Sequence, residues 1–167
     1  MKFFGLLLVA LAQLVPFALG GGVFYIYEGN TMFMDFTTNQ AWSFYRGPDL
    51  PTCDYAAKVD VYRSGSDVSA NKWGVACDGG SCPGRWLPGD SSNIDRLEIN
   101  TSFGHYTWYK NRDHHIVDLN DKVVGKCEPI SRDEGKVDCR TGLASFITQW
   151  TFFKCESDII EVPVVQA

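Results

Sequence analysis

Six cysteines constrain what this chain can fold into more than any other feature: Cys53, Cys77, Cys82, Cys127, Cys139 and Cys155. All of them follow a leader-like start. In residues 1–20, MKFFGLLLVALAQLVPFALG, Lys2 supplies the charged end and positions 3–15 a short apolar core. Pro16 breaks that core, and Ala18-Leu19-Gly20 has the small residues of a cleavage site. This is the format of a secretory signal peptide, and the apolar run is too short for a membrane span. The expected organisation is therefore a signal peptide at 1–20 and a single domain at 21–167, secreted to the extracellular side. An even cysteine count behind such a leader predicts three disulfides, which a domain of this size uses to supplement its core. No CxxC pair occurs, so the cysteines do not read as a zinc site, and no metal or cofactor is expected.

The stretch 127–155 holds half of the cysteines and the longest alternating apolar run after the leader. Its first part, CEPISRDEGKVDC, contains Pro129 and Gly135 and can turn back on itself, which favours Cys127 with Cys139. Cys77 and Cys82 enclose Asp78-Gly79-Gly80-Ser81, a tight reversal that suits a local bridge. Cys53 would then pair with Cys155. Sequence does not choose among the pairings that six cysteines allow, and Cys53 with Cys77 plus Cys82 with Cys155 remains an alternative.

Between the cysteines the pattern is that of strands. Leucine is scarce after the leader, whereas Phe, Tyr, Trp, Val, Thr, Gly and Ser are abundant. Period-two or short apolar runs fall at 23–27, 32–36, 41–45, 57–62, 96–103, 105–110, 115–119, 122–126, 145–153 and 159–165, the last demoted to an edge by Pro163. In 96–103, Leu97, Ile99, Thr101 and Phe103 share one face; in 145–153, Phe146, Thr148, Trp150 and Phe152 do. Turn formers separate the runs, including Glu28-Gly29-Asn30, Ser64-Gly65-Ser66-Asp67 and Pro88-Gly89-Asp90. Short helical pieces are expected only near 67–72 and 142–146. The fold class is all-β: a compact antiparallel barrel or sandwich, disulfide-stabilised.

The formal net charge of −5 argues against nucleic acid as a partner, since non-specific binding needs basic surface to displace counterions. No second apolar run of spanning length follows the leader, so no membrane partner is expected either. Asn100-Thr101-Ser102 is a glycosylation sequon, and the alternation places Asn100 on the polar face of its strand. His105, His114 and His115, with Asp113 and Asp118, offer the residue types of a metal site, but adjacent histidines at a strand end point to opposite faces and read as solvated side chains. Glu98, Arg96 and His105 supply a base, a cation and an acid, the set a small secreted ribonuclease-like hydrolase would use; cross-strand charge pairing explains them as well. No phosphate loop, HExxH or GxSxG pattern occurs. Trp86, next to Arg85 in Pro83-Gly84-Arg85-Trp86-Leu87-Pro88, is the leading single contact residue for a binding role.

Cys127, Cys139 and the run Ala144-Ser145-Phe146-Ile147-Thr148 resemble the C-terminal part of the Alternaria alternata allergen 1 family, with an upstream echo in Phe44-Tyr45-Arg46-Gly47-Pro48, Trp73 and Cys77. The resemblance implies a small secreted fungal β-barrel protein with intrachain disulfides. It also implies an effector or elicitor that binds a host (plant) extracellular protein or a small ligand without catalysis, as a monomer or non-covalent dimer. The early cysteine that the family uses for covalent dimers has no counterpart between Gly21 and Thr52.

Overall fold

The structure is a computed structural model and describes residues 22–32, 38–80, 82–83, 89–141 and 145–164. Its strands are β1 (Gly22–Met32), β2 (Thr38–Arg46), β3 (Val61–Gly65), β4 (Gly74–Gly79), β5 (Ile94–Thr101), β6 (Gly104–Tyr109), β7 (His115–Asp118), β8 (Val123–Pro129), β9 (Val137–Thr141) and β10 (Ser145–Ser157), with one helical turn, α1 (Cys53–Ala56), between β2 and β3. Strands β1 to β8 pair in chain order, β8 pairs with β10, and β10 pairs with β1, which closes a nine-strand barrel. Every pairing is antiparallel except β3 with β4, which meet only at Ser64↔Val75 and Gly65↔Ala76. Strand β9 shares with β8 the remaining edge of β10: β8 takes the end from Phe153 to Glu156, β9 the end from Ser145 to Gln149.

The barrel interior follows from the alternation. Leu97 and Ile99 on β5 face Trp108 on β6, Ile116 on β7 and Phe24 and Ile26 on β1 in one buried cluster. At the β1–β10 ladder the register shifts between Ile26 and Tyr27, and the extra residue lets both Phe152 and Phe153 turn inward, each fully buried. Each such side chain contributes about 2–3 kcal/mol of burial. Trp108 also donates from Nε1 to the Cys127 carbonyl at 3.0 Å, so its one polar atom is satisfied inside the core. The segment after β10 is not an edge strand. It is irregular, and Ile160 and Val162 insert into the interior cluster and plug that end of the barrel. Pro163 interrupts no ladder there.

A second, smaller core lies outside the barrel wall. Tyr25, Tyr27, Tyr45 and Ile147 point outward and are covered by Ala56 of α1 and by Val137 and Cys139 of β9. The 57–62 alternation therefore does not make one strand. Thr52 caps α1, its hydroxyl accepting from Tyr55 N at 3.3 Å, and β3 begins only at Val61. Gly135 sits over this face with φ +79°, and a Cβ there would lie 3.0 Å from the Tyr27 hydroxyl.

Three disulfides fasten this arrangement: Cys53 with Cys139, Cys77 with Cys82, and Cys127 with Cys155. The local Cys77 bridge is the one expected from its loop. The other two correct both sequence-based schemes. Cys127 lies directly across the ladder from Cys155 inside the barrel, while Cys139 faces the outer core, where α1 delivers Cys53.

The structure also corrects the exposure of Asn100. The crossover that joins parallel β3 and β4 passes over the outer face of β5. Asn100 is buried there, and its Nδ2 donates to the carbonyls of Val68 at 2.8 Å and Ala70 at 2.9 Å. A glycan would be attached through that same nitrogen. Asn100→Ala is expected to cost about 2–3 kcal/mol in denaturant unfolding, because two crossover carbonyls lose their donor; a loss below about 0.5 kcal/mol would show that the amide does not hold the crossover.

Candidate binding cleft

At the barrel end plugged by Ile160 and Val162, three aromatic rings come together from separate elements. Phe44 is near the end of β2, Tyr62 is at the start of β3, and Phe103 is in the tight turn from β5 to β6. Phe44 stands edge-on to Tyr62 at 5.7 Å and to Phe103 at 5.1 Å, and Tyr62 to Phe103 at 6.1 Å. The Tyr62 and Ser102 hydroxyls are hydrogen-bonded at 2.9 Å, which ties β3 to the Phe103 turn. The rings line a shallow cleft of about 70 Å³, completed by Val59 and Pro163, with Lys58 and Asp60 also lining it; Phe44 and Tyr62 are themselves buried, and Phe103 is half-buried. Lys58 and Asp60 are exposed, and neither forms an ion pair among the described residues. The cleft's lining, mostly apolar with a few polar groups, is that of a small-ligand site, though its volume is below the usual ~300–1,000 Å³ of such pockets.

The opposite end of the interior contains an anomaly. Glu28 is in β1, not in a turn. Gly29 beside it is needed because a Cβ there would lie 2.6 Å from Gln149 Cα of β10. The register places Trp42 of β2 and Trp150 of β10 on either side of Glu28. Glu28 is 1 % exposed, and among the described residues neither carboxylate oxygen has a partner within hydrogen-bond geometry. Burial pushes its carboxyl up to about 7, with the Gln40 side chain acting in the other direction. The outer face next to it is also polar and buried: the Tyr45 hydroxyl donates to Gln149 Oε1, and Gln149 Nε2 donates to Ser43 Oγ at 3.0 Å. Burial raises both tyrosines there, Tyr27 to about 12.

Of the residues expected to act together in hydrolysis, two meet. His105 Nε2 and Glu98 Oε1 are 2.9 Å apart, both partly buried on the outer barrel wall. Arg96 does not join them. Its Nε donates to Asp78 Oδ2 at 2.7 Å across the β4–β5 ladder. The concavity beside Arg96, lined by Asp78, Asp95, Tyr109, Lys110 and Asn111, includes neither Glu98 nor His105. His114 lies at the far end of the β6–β7 pair from His105, with Nδ1 2.7 Å from Glu128 Oε2. Asp118 instead accepts from Asn120 N at 2.8 Å and Lys122 N at 3.0 Å in its own turn. Among the described residues no three His, Cys, Asp or Glu side chains converge on one point. Arg85 and Trp86 lie outside the described residues. Sequence reasoning missed the ring trio because its members come from three separate runs, and only Phe103 lies on a face that alternation marked as apolar. Comparison of the chain with family models, with curated proteins and with solved structures finds no match.

Proposed function

We propose that this is a secreted binding protein of the small fungal effector or elicitor type, akin to the Alternaria alternata allergen 1 family, which holds a small ligand in the Phe44–Tyr62–Phe103 cleft without catalysis. The supporting observation is the cleft itself: a small concavity where half-buried Phe103 packs edge-on against the buried rings of Phe44 and Tyr62, beside Lys58 and Asp60, which form no ion pair among the described residues. A host extracellular protein is the other partner class that the family resemblance carries. The setting, the source and the leader's secretory role rest on the sequence reading. Ring-bearing small molecules are expected to shift the NMR signals of residues 44, 62 and 103 selectively. Phe103→Ala is expected to weaken that binding at least about tenfold, the effect of losing one aromatic wall worth ~1.5 kcal/mol or more. Shifts scattered over the whole surface, or unchanged in Phe103→Ala, would refute the cleft.

One observation favours a hydrolase as the second reading. The Glu98–His105 contact at 2.9 Å is a carboxylate–imidazole pair suited to proton transfer. If it acts on RNA, purified protein degrades RNA and Glu98→Gln does not. RNA left intact by the native protein retires this reading.

A further inference from the structure

We propose that the groove between the start of β8 and the end of β10 docks a short peptide segment of another protein, one in which a lysine or arginine stands between aliphatic residues. The groove follows from the way the sheet ends. Strands β8 and β10 pair as far as Lys126 with Glu156 and then part. From Val123 to Gly125, β8 has β7 on one side and no described strand on the other. The space this leaves is about 450 Å³, within the ~300–1,000 Å³ that ligand sites occupy. It shares no lining residue with the aromatic cleft, so the two stand or fall separately.

The floor and one wall are fixed. A Cβ on Gly125 would lie 2.8 Å from the Glu156 carbonyl oxygen and 3.0 Å from Ser157 Cβ, so glycine is what lets the two chains approach at the floor. Ser157 Oγ donates to the Val124 carbonyl at 2.6 Å and accepts from the amides of Ile159 at 3.0 Å and Ile160 at 2.8 Å. These bonds accompany a turn that sends Ile160 into the barrel plug and leaves Asp158 and Ile159 on the groove wall.

Two features of the lining select the occupant. Val123 on one side and Ile159 on the other are 49 % and 48 % exposed, so an aliphatic side chain lying between them removes apolar surface from water on both walls. Charge is the second feature. Glu156 and Asp158 are exposed and form no ion pair among the described residues. Lys126, the ammonium on the same lining, is already held: its Nζ is 3.0 Å from Glu128 Oε1 and 3.6 Å from Asp113 Oδ2. The charge left uncompensated in the groove is therefore negative, and it complements an ammonium or guanidinium. A polyamine would leave Val123 and Ile159 uncovered, and an acidic peptide would meet two like charges.

The test titrates the full chain by NMR, at low ionic strength, with three capped tripeptides, Leu-Arg-Leu, Leu-Gln-Leu and Leu-Glu-Leu, and with spermidine. The arginine peptide is expected to shift the amide signals of residues 123–126 and 156–159 selectively. The glutamine peptide is expected to bind about two- to fivefold more weakly, the scale of one exposed ion pair, and the glutamate peptide more weakly still. The double variant Glu156→Gln/Asp158→Asn changes two exposed side chains, so it should fold as the native protein does and bind the arginine and glutamine peptides equally. The proposal is overturned if the native protein binds those two peptides equally, if the double variant keeps the preference, or if spermidine matches the arginine peptide. Shifts scattered over the whole surface, or none with any probe, overturn it as well.

Discussion

Replacing Glu28 by glutamine is expected to stabilise the protein by about 3 kcal/mol at roughly pH 8 and to change little at roughly pH 4. The reason is the displacement of one titration. Unfolded, the Glu28 carboxyl ionises near its ordinary value of 4.5; folded, burial holds its proton until about 7. Between those values the unfolded chain gives up a proton that the folded chain keeps. The native state is therefore favoured below the window and loses that advantage as pH rises through it. Above about pH 7 the folded protein carries a buried charge for which, among the described residues, neither oxygen meets a partner in hydrogen-bond geometry, and the Gln40 side chain offsets burial only in part. Glutamine keeps the shape and removes the charge. The carboxyls that are held low, on Asp90, Asp118, Glu128 and Asp138, act on the acid side: their contribution is lost as pH falls below about 4, outside the Glu28 window. Guanidinium unfolding at several pH values measures the effect. A stability slope between pH 5 and 7 that is the same in native protein and Glu28→Gln would contradict it.

The double variant Cys53→Ala/Cys139→Ala is expected to lose about 4–5 kcal/mol, against roughly 2 kcal/mol for Cys77→Ala/Cys82→Ala. The bridges close loops of very different length, with sequence separations of 86 and 5. The long bridge also fixes α1 over the outer tyrosines, so its loss should loosen Tyr25, Tyr27 and Tyr45 together. Tyrosine fluorescence or hydrogen exchange at β1 and β2 should report that loosening, while the interior cluster around Trp108 stays ordered. Equal losses for the two double variants would mean that Cys53 and Cys139 are not joined to each other. Peptide mapping of the unreduced protein provides an independent check of the pairing.

How far the sequence could be read depended on distance along the chain. The 96–103 alternation was legible because each of its residues keeps one side to the barrel and one side out, and Leu97 and Ile99 are interior as expected. The Cys77 bridge was legible because its loop is too short to go elsewhere. The other bridges were not, because the polar segment between β8 and β9 does not reverse the chain onto itself. It moves the chain along one edge of β10, from the interior side at Cys127 to the outer side at Cys139. Asn100 was misread for a similar reason: alternation tells which way a side chain points, not whether a crossover will cover it. Glu28 was misread as a turn residue because Gly29 and Asn30 usually signal turns, whereas here glycine serves the close approach of β10. The cleft was illegible as a site because its three rings become neighbours only when β2, β3 and the β5–β6 turn are assembled.

The ladder between β1 and β10 has a consequence for how the protein is made. Its partners, from Gly22 with Ser157 to Met32 with Phe146, lie more than about a hundred residues apart, and no shorter-range pairing can close the ring. During synthesis β1 can pair with β2 as soon as both emerge, but its other edge waits, unpaired, for nearly the entire chain. An open edge flanked by Tyr25, Ile26 and Tyr27 is an invitation to pair with another copy. The strand that completes the barrel also carries Cys155, and the bridge to Cys127 can form only once it arrives. Ring closure and the Cys127–Cys155 bridge thus come late together, whereas Cys77 and Cys82 can join as soon as their loop has emerged.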